Sequence, residues 1–167
     1  MPVIQNTAAL LRENLILTEI IYVLNGPNLN LMGLREPEIY GYQTLEDIKT
    51  LCSSTAKEAG FSIRFFQSNI EGVLIDQIQD ARQEASAIVI NPAAYSHTSI
   101  AILDALKSFT GPVAEVHISN VHQRESFRHH SYISSHADCI IIGCGIIGYR
   151  FAIEFLVNRL KKSNDNV

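Results

Sequence analysis

The stretch that decides the fold reads Ile20-Ile-Tyr-Val-Leu-Asn25-Gly-Pro-Asn-Leu-Asn. Its first five residues form an apolar run, which is typical of a strand covered on both faces of a sheet. An irregular segment rich in Gly, Pro and Asn then extends to residue 41, before a helix-start signal at Thr44. A compact domain rarely carries so long an irregular connection unless the connection has a function. We therefore expect residues 25–41 to form part of a ligand site.

Composition predicts one ordered globular domain. The chain has 167 residues, of which 47% are hydrophobic and 18% are charged. A domain usually spans about 100–200 residues, so a single core can form without a disulfide or metal staple. The net charge is −4 and no basic tract is present, which argues against nucleic acid as a partner.

The cysteines and the N-terminal segment predict a reduced, cytoplasmic setting. Three cysteines, Cys52, Cys139 and Cys144, form an odd number and no Cys-x-x-Cys pair. We expect no signal peptide, because charged Arg12 and Glu13 interrupt the apolar residues near the N-terminus. No apolar run reaches about 18 residues, so no membrane span is expected.

Apolar runs alternate with helical patterns along the chain, which predicts an α/β fold with a parallel sheet and right-handed crossovers. Five strands in one domain favour a flavodoxin-like three-layer sandwich with strand order 2-1-3-4-5. The domain is expected to span residues 16–160, between an N-terminal extension (1–15) without assigned role and a polar tail (161–167) that should fray. The strands are predicted at residues 15–24, 61–67, 87–91, 113–118 and 139–143.

Each predicted helix has an apolar face. Thr44 and Asp47 form a capping-box signature for the first helix. Ser96 or Thr98 is expected to cap the third. The residues on the four faces are Leu45, Ile48, Leu51, Cys52 and Thr55; Leu74, Ile78, Ala81 and Ala85; Ile102, Leu106 and Phe109; and Ile147, Phe151 and Phe155.

Polar residues follow the first, third and fourth strands. In parallel sheets, ligands bind outside the carboxyl ends of the strands, near the switch in strand order. Amides, hydroxyls, imidazoles and guanidinium groups at one such edge suit a small polyhydroxylated acid. The residues concerned include Asn28, Asn91, Ser96, His97, Glu115, His117, Ser119, Arg124 and Arg128.

Each of these residues also has a purely structural interpretation. Asn28 and its neighbouring asparagines can be turn formers, and the histidines can be satisfied structural residues. Tyr40 is a poor base unless a cation such as Arg35 stabilises its phenolate. Asp104 fits a solvated helix face. Convergence on one sheet edge, rather than any single residue, favours the functional interpretation.

Two motifs resemble known ligand sites, one for a dinucleotide and one for zinc, but both are incomplete. Residues 143–148 match Gly-x-Gly-x-x-Gly, but only 19 residues follow Gly148 and they contain no further strand candidate. A flavodoxin-like nucleotide-binding module that uses this turn is the alternative function. The second motif is a group of histidines without a complete set of zinc ligands. We predict no metal and no cofactor. Those histidines are His117, His122, His129, His130 and His136.

Three motifs in order strongly resemble the type II 3-dehydroquinate dehydratases. The resemblance covers about residues 20–160. It implies a flavodoxin-like fold, cofactor-free dehydration of 3-dehydroquinate to 3-dehydroshikimate in the shikimate pathway, and a dodecamer built as four trimers. The motifs are Asn25-Gly-Pro-Asn-Leu-Asn-Leu-Met-Gly with Arg35-Glu-Pro and Ile39-Tyr-Gly; Asn91-Pro-Ala-Ala-Tyr-Ser-His-Thr-Ser; and Glu115-Val-His-Ile-Ser-Asn-Val-His.

The resemblance also implies catalytic roles. Tyr40 matches the general base, which produces an enolate, and Arg35 matches the arginine that favours the phenolate. Asn28 matches the asparagine that holds a water against the enolate oxygen. His117 matches the acid that protonates the departing hydroxyl, with Glu115 as its orienting partner.

Further positions follow from the same resemblance. Asp104 matches an aspartate that reaches the site of a neighbouring subunit, and the role of Arg124 is left open. Two features depart from the family: Leu103 stands where an arginine is common, and the segment beginning at Ser134 is unusually polar. The residues that match substrate-binding positions, besides Asp104, are Asn91, His97, Ile118, Ser119 and Arg128.

Overall fold

A five-stranded parallel sheet with helices on both faces forms the fold, as predicted. The computed structural model describes residues 18–34 and 42–164. The strand order is β2-β1-β3-β4-β5, so the predicted order 2-1-3-4-5 is confirmed. The strands are β1 (Ile20–Asn25), β2 (Ser62–Gln67), β3 (Ala85–Asn91), β4 (Val113–His117) and β5 (Cys139–Ile142). The helices are α1 (Leu45–Glu58), α2 (Glu71–Glu84), α3 (Ile100–Lys107) and α4 (Ile147–Asn164).

Side chains of β1 alternate between two hydrophobic cores, one on each face of the sheet. Ile21 and Val23 join the core formed with α1 and α4. Tyr22 and Leu24 join the core formed with α2 and α3. A strand covered on both faces needs apolar residues at every position, which explains the uninterrupted apolar run.

The capping box that starts α1 is present as predicted. The Thr44 hydroxyl accepts a hydrogen bond from the Asp47 amide, and the Thr44 amide donates to the Asp47 carboxylate at 2.7 Å. Hydrogen bonds from the Thr44 backbone and side chain lower the pKa of Asp47. The cap fixes where the chain leaves the loop and enters the first helix.

Two helix boundaries differ from the predictions. Ala85 begins β3 instead of lying on the face of α2, because its backbone is already extended. The cap of α3 is Ser99, whose hydroxyl accepts the Ile102 amide at 2.9 Å. Ser96 instead donates its hydroxyl to the Ala93 carbonyl within the preceding 3-10 helix, and Thr98 ends that helix.

The face predicted for the last helix is wrong for two of its three residues, because only Phe155 packs against the hydrophobic core. Ile147 and Phe151 are 45% and 44% exposed. Gly148 faces the sheet instead: a Cβ there would lie 3.2 Å from a methyl of Ile141 and 3.4 Å from a methyl of Val116. The buried face is formed by Tyr149, Ala152, Ile153, Leu156 and Val157.

The glycine-rich segment before α4 is a tight turn packed closely on the sheet. Gly143 and Gly145 have φ values of 81° and 60°, a region that favours glycine. Their amides donate to the carbonyls of His117 and Ile118. The segment therefore uses its glycines for backbone geometry and close approach.

Some predictions fall at the ends of the described chain. β1 begins at Ile20, not at residue 15, and residues 15–17 lie outside the described residues, as does the extension 1–15. α4 continues into the predicted tail as far as Asn164, and residues 165–167 lie outside. Across residues 18–34 and 42–164, no helix has the length and apolarity needed to span a membrane.

Candidate active site

A cleft lies at the carboxyl edge of the sheet, beyond β1, β3 and β4. Seven residues predicted from sequence line it together, and so does Arg124, whose role was left open. The apolar part of the wall includes Leu29, Leu31, Met32 and Val121. The seven predicted residues are Asn28, Asn91, His97, His117, Ile118, Ser119 and Arg128.

Three predicted site residues do not line this cleft in the described chain. Arg35 and Tyr40 lie outside the described residues. Asp104 lies on α3, where its exposed carboxylate pairs with Lys107 at 3.3 Å. That geometry fits the solvated helix face that the sequence allowed, and it leaves the side chain at the surface of the subunit.

The described chain on either side of residues 35–41 meets at the rim of the cleft. Gly33 has a φ of 80°, and a Cβ there would lie 2.9 Å from the Tyr42 carbonyl oxygen. Leu31 and Met32, just before this contact, line the cleft. Gly33 and Tyr42, on the two sides of the segment that carries Arg35 and Tyr40 in the sequence, therefore lie together beside the cleft.

Asn28 is both a turn former and a residue of the cleft wall, the two roles that the sequence left open. Its φ of 67° places it in the left-handed region that asparagine tolerates. Its amide is held by the Asn69 side chain at 2.9 Å, and its carbonyl accepts the Leu31 amide. The residue is thus a turn former that presents its side chain at the wall of the cleft.

A buried hydrogen-bonded chain fixes the floor of the cleft. The Tyr149 hydroxyl donates to Asn25 Oδ1 at 2.6 Å and accepts from Asn91 Nδ2 at 2.9 Å. Burial raises the pKa of Tyr149, so its hydroxyl keeps the proton it donates. Tyr149 was missed from sequence, because a tyrosine on an apolar helix face gives no sign of a polar partner.

The loops after β1 and β3 approach each other closely at the strand-order switch. The Gly26 amide donates to the Asn91 carbonyl at 2.8 Å. A Cβ on Gly26 would lie only 2.4 Å from the Pro92 carbonyl oxygen. Asn91 Oδ1 accepts the amide of Ala93, a non-glycine residue with φ of 50°. This close contact holds Asn28 and Asn91 on neighbouring walls of one cleft.

His117 and Glu115 form a buried pair at the end of β4. His117 Nε2 lies 2.7 Å from Glu115 Oε1, and the two residues are 6% and 0% exposed. Burial would raise the pKa of Glu115, but hydrogen bonds from His117, Ser134 and Ser131 outweigh it and lower that pKa. A carboxylate accepts only, so Nε2 of His117 carries the proton and Nδ1 remains for a ligand.

The polar segment around Ser134, a departure from the family pattern at the sequence level, has a structural explanation here. The Ser131 hydroxyl donates to Glu115 Oε1 at 2.7 Å, and the Ser134 hydroxyl donates to Oε2 at 2.5 Å. Buried carboxylates persist only when their oxygens are hydrogen-bonded. Both serines therefore belong to the support of the site.

His97 is the second imidazole of the cleft. Its Nδ1 lies 2.7 Å from the His130 carbonyl oxygen, so Nδ1 donates and Nε2 is the acceptor of the neutral ring. Burial lowers the pKa of His97, and the neighbouring charges of His117 and Arg128 act in the same direction. The rings of His97 and His117 stack with centroids 6.4 Å apart.

Two guanidinium groups, those of Arg124 and Arg128, also line the cleft. Arg128 Nε donates to Glu125 at 2.7 Å, and its guanidinium lies over the Phe127 ring. Arg124 donates to the Ser119 hydroxyl at 3.4 Å. Paired arginines beside hydroxyl and amide donors suit an anionic ligand such as a carboxylate.

A flavodoxin-like fold with an imidazole–carboxylate pair and arginines at the carboxyl edge of its sheet suits an enzyme that acts on small anionic ligands. The family model for Dehydroquinase class II matches residues 19–157. The chain belongs to the class II dehydroquinase family. The protein is thus an enzyme, and the predicted resemblance is confirmed.

Individual relatives agree with the family model. A 3-dehydroquinate dehydratase of Cereibacter sphaeroides is 64% identical over 138 residues, covering 83% of this chain and 94% of the relative. One from Streptomyces avermitilis is 62% identical over 135 residues, covering 80% and 85%. The crystal structure of type II dehydroquinase from Propionibacterium acnes superposes with a TM-score of 0.81 at 42% identity, covering 84% and 97%.

Proposed function

We propose that this protein dehydrates 3-dehydroquinate to 3-dehydroshikimate, with His117 as the acid that completes the reaction. Family membership and relatives that bear this name at more than 60% identity support the substrate. The observation that carries the proposal is the buried Glu115–His117 pair, which leaves one imidazole nitrogen for the cleft.

The reaction needs three groups. Removing a proton beside a ketone requires a base, a group that stabilises the enolate, and an acid for the departing hydroxyl. His117 serves as the acid: as an imidazolium, with protons on both nitrogens, it transfers the Nδ1 proton to the hydroxyl, which leaves as water, and keeps the Nε2 proton that Glu115 accepts. The Glu115 carboxylate compensates the positive charge that His117 carries before the transfer.

The base is Tyr40, with Arg35 stabilising its phenolate. Both lie in the segment whose flanks meet at Gly33 and Tyr42 beside the cleft, which supports their reaching the substrate. Asn28 holds a water against the enolate oxygen. Its backbone is fixed by Asn69, so little reorganisation is needed when negative charge develops there.

Substrate binding uses the remaining walls. Arg128 pairs with the carboxylate of the substrate, and the adjacent Arg124 adds positive charge to that wall. His97 Nε2 accepts a substrate hydroxyl, since Nδ1 is committed to a backbone carbonyl. Asn91 and Ser119, with the backbone of Ile118, bind further hydroxyls. No step in this scheme uses a cofactor, a metal or a Schiff base.

Asp104 acts between subunits of a cytoplasmic homododecamer built as four trimers. Its exposed position on α3 supports a contact with the site of a neighbouring subunit. Leu103 is 9% exposed and packs into its own subunit, so the neighbour is met through Asp104 without the adjacent arginine common in the family. The assembly is tested by sedimentation, which should give a mass of twelve chains.

The activity is tested by mixing the folded protein with 3-dehydroquinate and following ultraviolet absorbance. The conjugated enone of the product absorbs where the substrate does not, so absorbance should rise with time. The His117→Asn variant is the matched control and should be strongly slowed. A folded wild-type protein that leaves the absorbance unchanged would overturn the proposed function.

A further inference from the structure

Glu115 is held by more donors than a simple partner of His117 requires. Oε1 accepts from His117 and from Ser131, and Oε2 accepts from Ser134 at 2.5 Å. The serines stand 16 and 19 residues beyond Glu115, on the segment around the 3-10 helix Ile133–Ser135. Both oxygens are therefore tied, which prevents the carboxylate from rotating about its last side-chain bond.

The surroundings of Glu115 make these donors necessary. Glu115 is 0% exposed. The residues paired with it on the neighbouring strands are the apolar Ile90 and Ile140. A buried carboxylate without donors takes up a proton or turns toward water. The ionisable groups near it are His117, which bonds it, and His97 beyond.

We propose that Ser131 and Ser134 are positioning residues, which hold Glu115 as a fixed carboxylate so that His117 keeps its proton on Nε2 and directs Nδ1 at the departing hydroxyl. This inference rests on the proposed function. The serines touch no substrate, so they act on the reaction through Glu115 and His117.

Ser134 is the better of the two serines for testing this role, because its hydroxyl is not also needed to form the turn. The Ser131 hydroxyl also accepts the Ser134 amide at 3.3 Å, so it has a local task within the turn. The Ser134 hydroxyl makes its hydrogen bond to Glu115 and sits opposite the His117 side of the carboxylate. Ser134→Ala therefore removes a donor to Glu115 and leaves the backbone contacts of the turn in place.

A matched control lies in the same 3-10 helix. Ser135 is exposed, and its hydroxyl donates to the Tyr132 carbonyl at 2.8 Å, away from Glu115. Ser135→Ala thus removes a hydroxyl and a local hydrogen bond from the same turn. Any effect that comes merely from loosening this turn will appear in both variants.

The experiment measures kcat and KM against pH for wild type, Ser134→Ala, Ser134→Thr and Ser135→Ala. Loss of the donor raises the pKa of Glu115, so Glu115 is protonated at a higher pH and its hold on His117 is lost there. We expect Ser134→Ala to lower kcat about tenfold, which is less than the roughly 10²–10⁴-fold contribution of a general acid because His117 itself stays in place, with KM nearly unchanged. The acidic limb of its kcat profile should move to higher pH.

The remaining variants decide between positioning and packing. Ser134→Thr keeps a hydroxyl and should restore the profile, while Ser135→Ala should match wild type. In a Glu115→Gln background, Ser134→Ala should add little, because residues that act as a unit are not additive. An unmoved acidic limb in Ser134→Ala, or a full additional loss in that background, would overturn the inference. Inactive wild-type protein would instead overturn the proposed function.

Discussion

The floor and the rim of the cleft are built in different ways. Asn91 and His117 at the floor, and Glu115 and Tyr149 that support them from below, are almost fully buried and each has a hydrogen-bonded partner. At the rim, Leu34 and Tyr42 are 83% and 82% exposed. The floor is fixed by strand ends and a long helix, whereas the rim carries the segment to which the base is assigned.

This difference separates the two halves of the proposed reaction. The acid is preorganised, because His117 is aligned by a buried carboxylate before any substrate is present. The proposed base, Tyr40, belongs to the segment between Leu34 and Tyr42, which lies outside the sheet. Changes at the rim should therefore affect proton abstraction, and changes at the floor should affect loss of water.

The largest effect is expected from Tyr40→Phe. Without the hydroxyl no base reaches the proton beside the ketone, so kcat should fall by about 10³ or more, within the span of general base catalysis. Binding of the substrate should largely survive, because the floor keeps its donors. Steady-state assays give kcat, and calorimetric titration gives affinity. Near-normal turnover by this variant would remove Tyr40 from its role.

A somewhat smaller effect is expected from Glu115→Gln. The amide keeps the shape of the side chain but removes the charge that faces His117, so kcat should fall by about 10². KM should change little, since Glu115 does not line the cleft. Assays across pH measure both constants, with Glu125→Gln, an exposed partner of Arg128, as the comparison. A fall confined to KM would contradict the division between floor and rim.

Tyr149→Phe should act mainly on stability. It leaves Asn25 Oδ1 and Asn91 Nδ2 without their buried partner, which costs about 1–3 kcal/mol of unfolding free energy. Urea titration measures the loss. Tyr95→Phe is the control, because its hydroxyl bonds an exposed carbonyl and should cost less. Equal losses of unfolding free energy in both variants would show that the buried hydrogen bonds of Tyr149 stabilise the fold no more than the exposed one of Tyr95.

Borohydride is expected to have no effect on activity. A mechanism through an enolate forms no imine, so borohydride added with substrate should leave activity intact. The described lysines also lie away from the cleft, on helices. Residual activity and intact-protein mass measure the outcome. Inactivation with an adduct on a lysine would contradict the proposed chemistry.

Local signals were enough to predict much of this molecule from sequence. The five apolar runs predicted the strands, and the Thr44–Asp47 pattern predicted the start of α1, because both depend on neighbouring residues. Polar residues at strand ends were brought together as expected, since the carboxyl ends of parallel strands share one edge.

What the sequence did not reveal depends on distant contacts. In α4 it is Gly148 that lies close to the sheet, whereas Ile147 and Phe151, two residues of the predicted face, are exposed. Tyr149 finds its partner Asn25 across 124 residues of sequence, and no periodic pattern marks such a pair. Of the serines that hold Glu115, Ser134 was noticed only as unexpected polarity and Ser131 was missed.

The central claim is that Glu115 aligns His117 before any substrate is present. Nitrogen-15 NMR of the histidine side chains in the ligand-free enzyme tests it most directly. His117→Gln assigns the signals. We predict that His117 carries its proton on Nε2 in a strong hydrogen bond to Glu115, and that this signature is lost in Glu115→Gln. A neutral His117 protonated on Nδ1, unchanged by Glu115→Gln, would contradict the account.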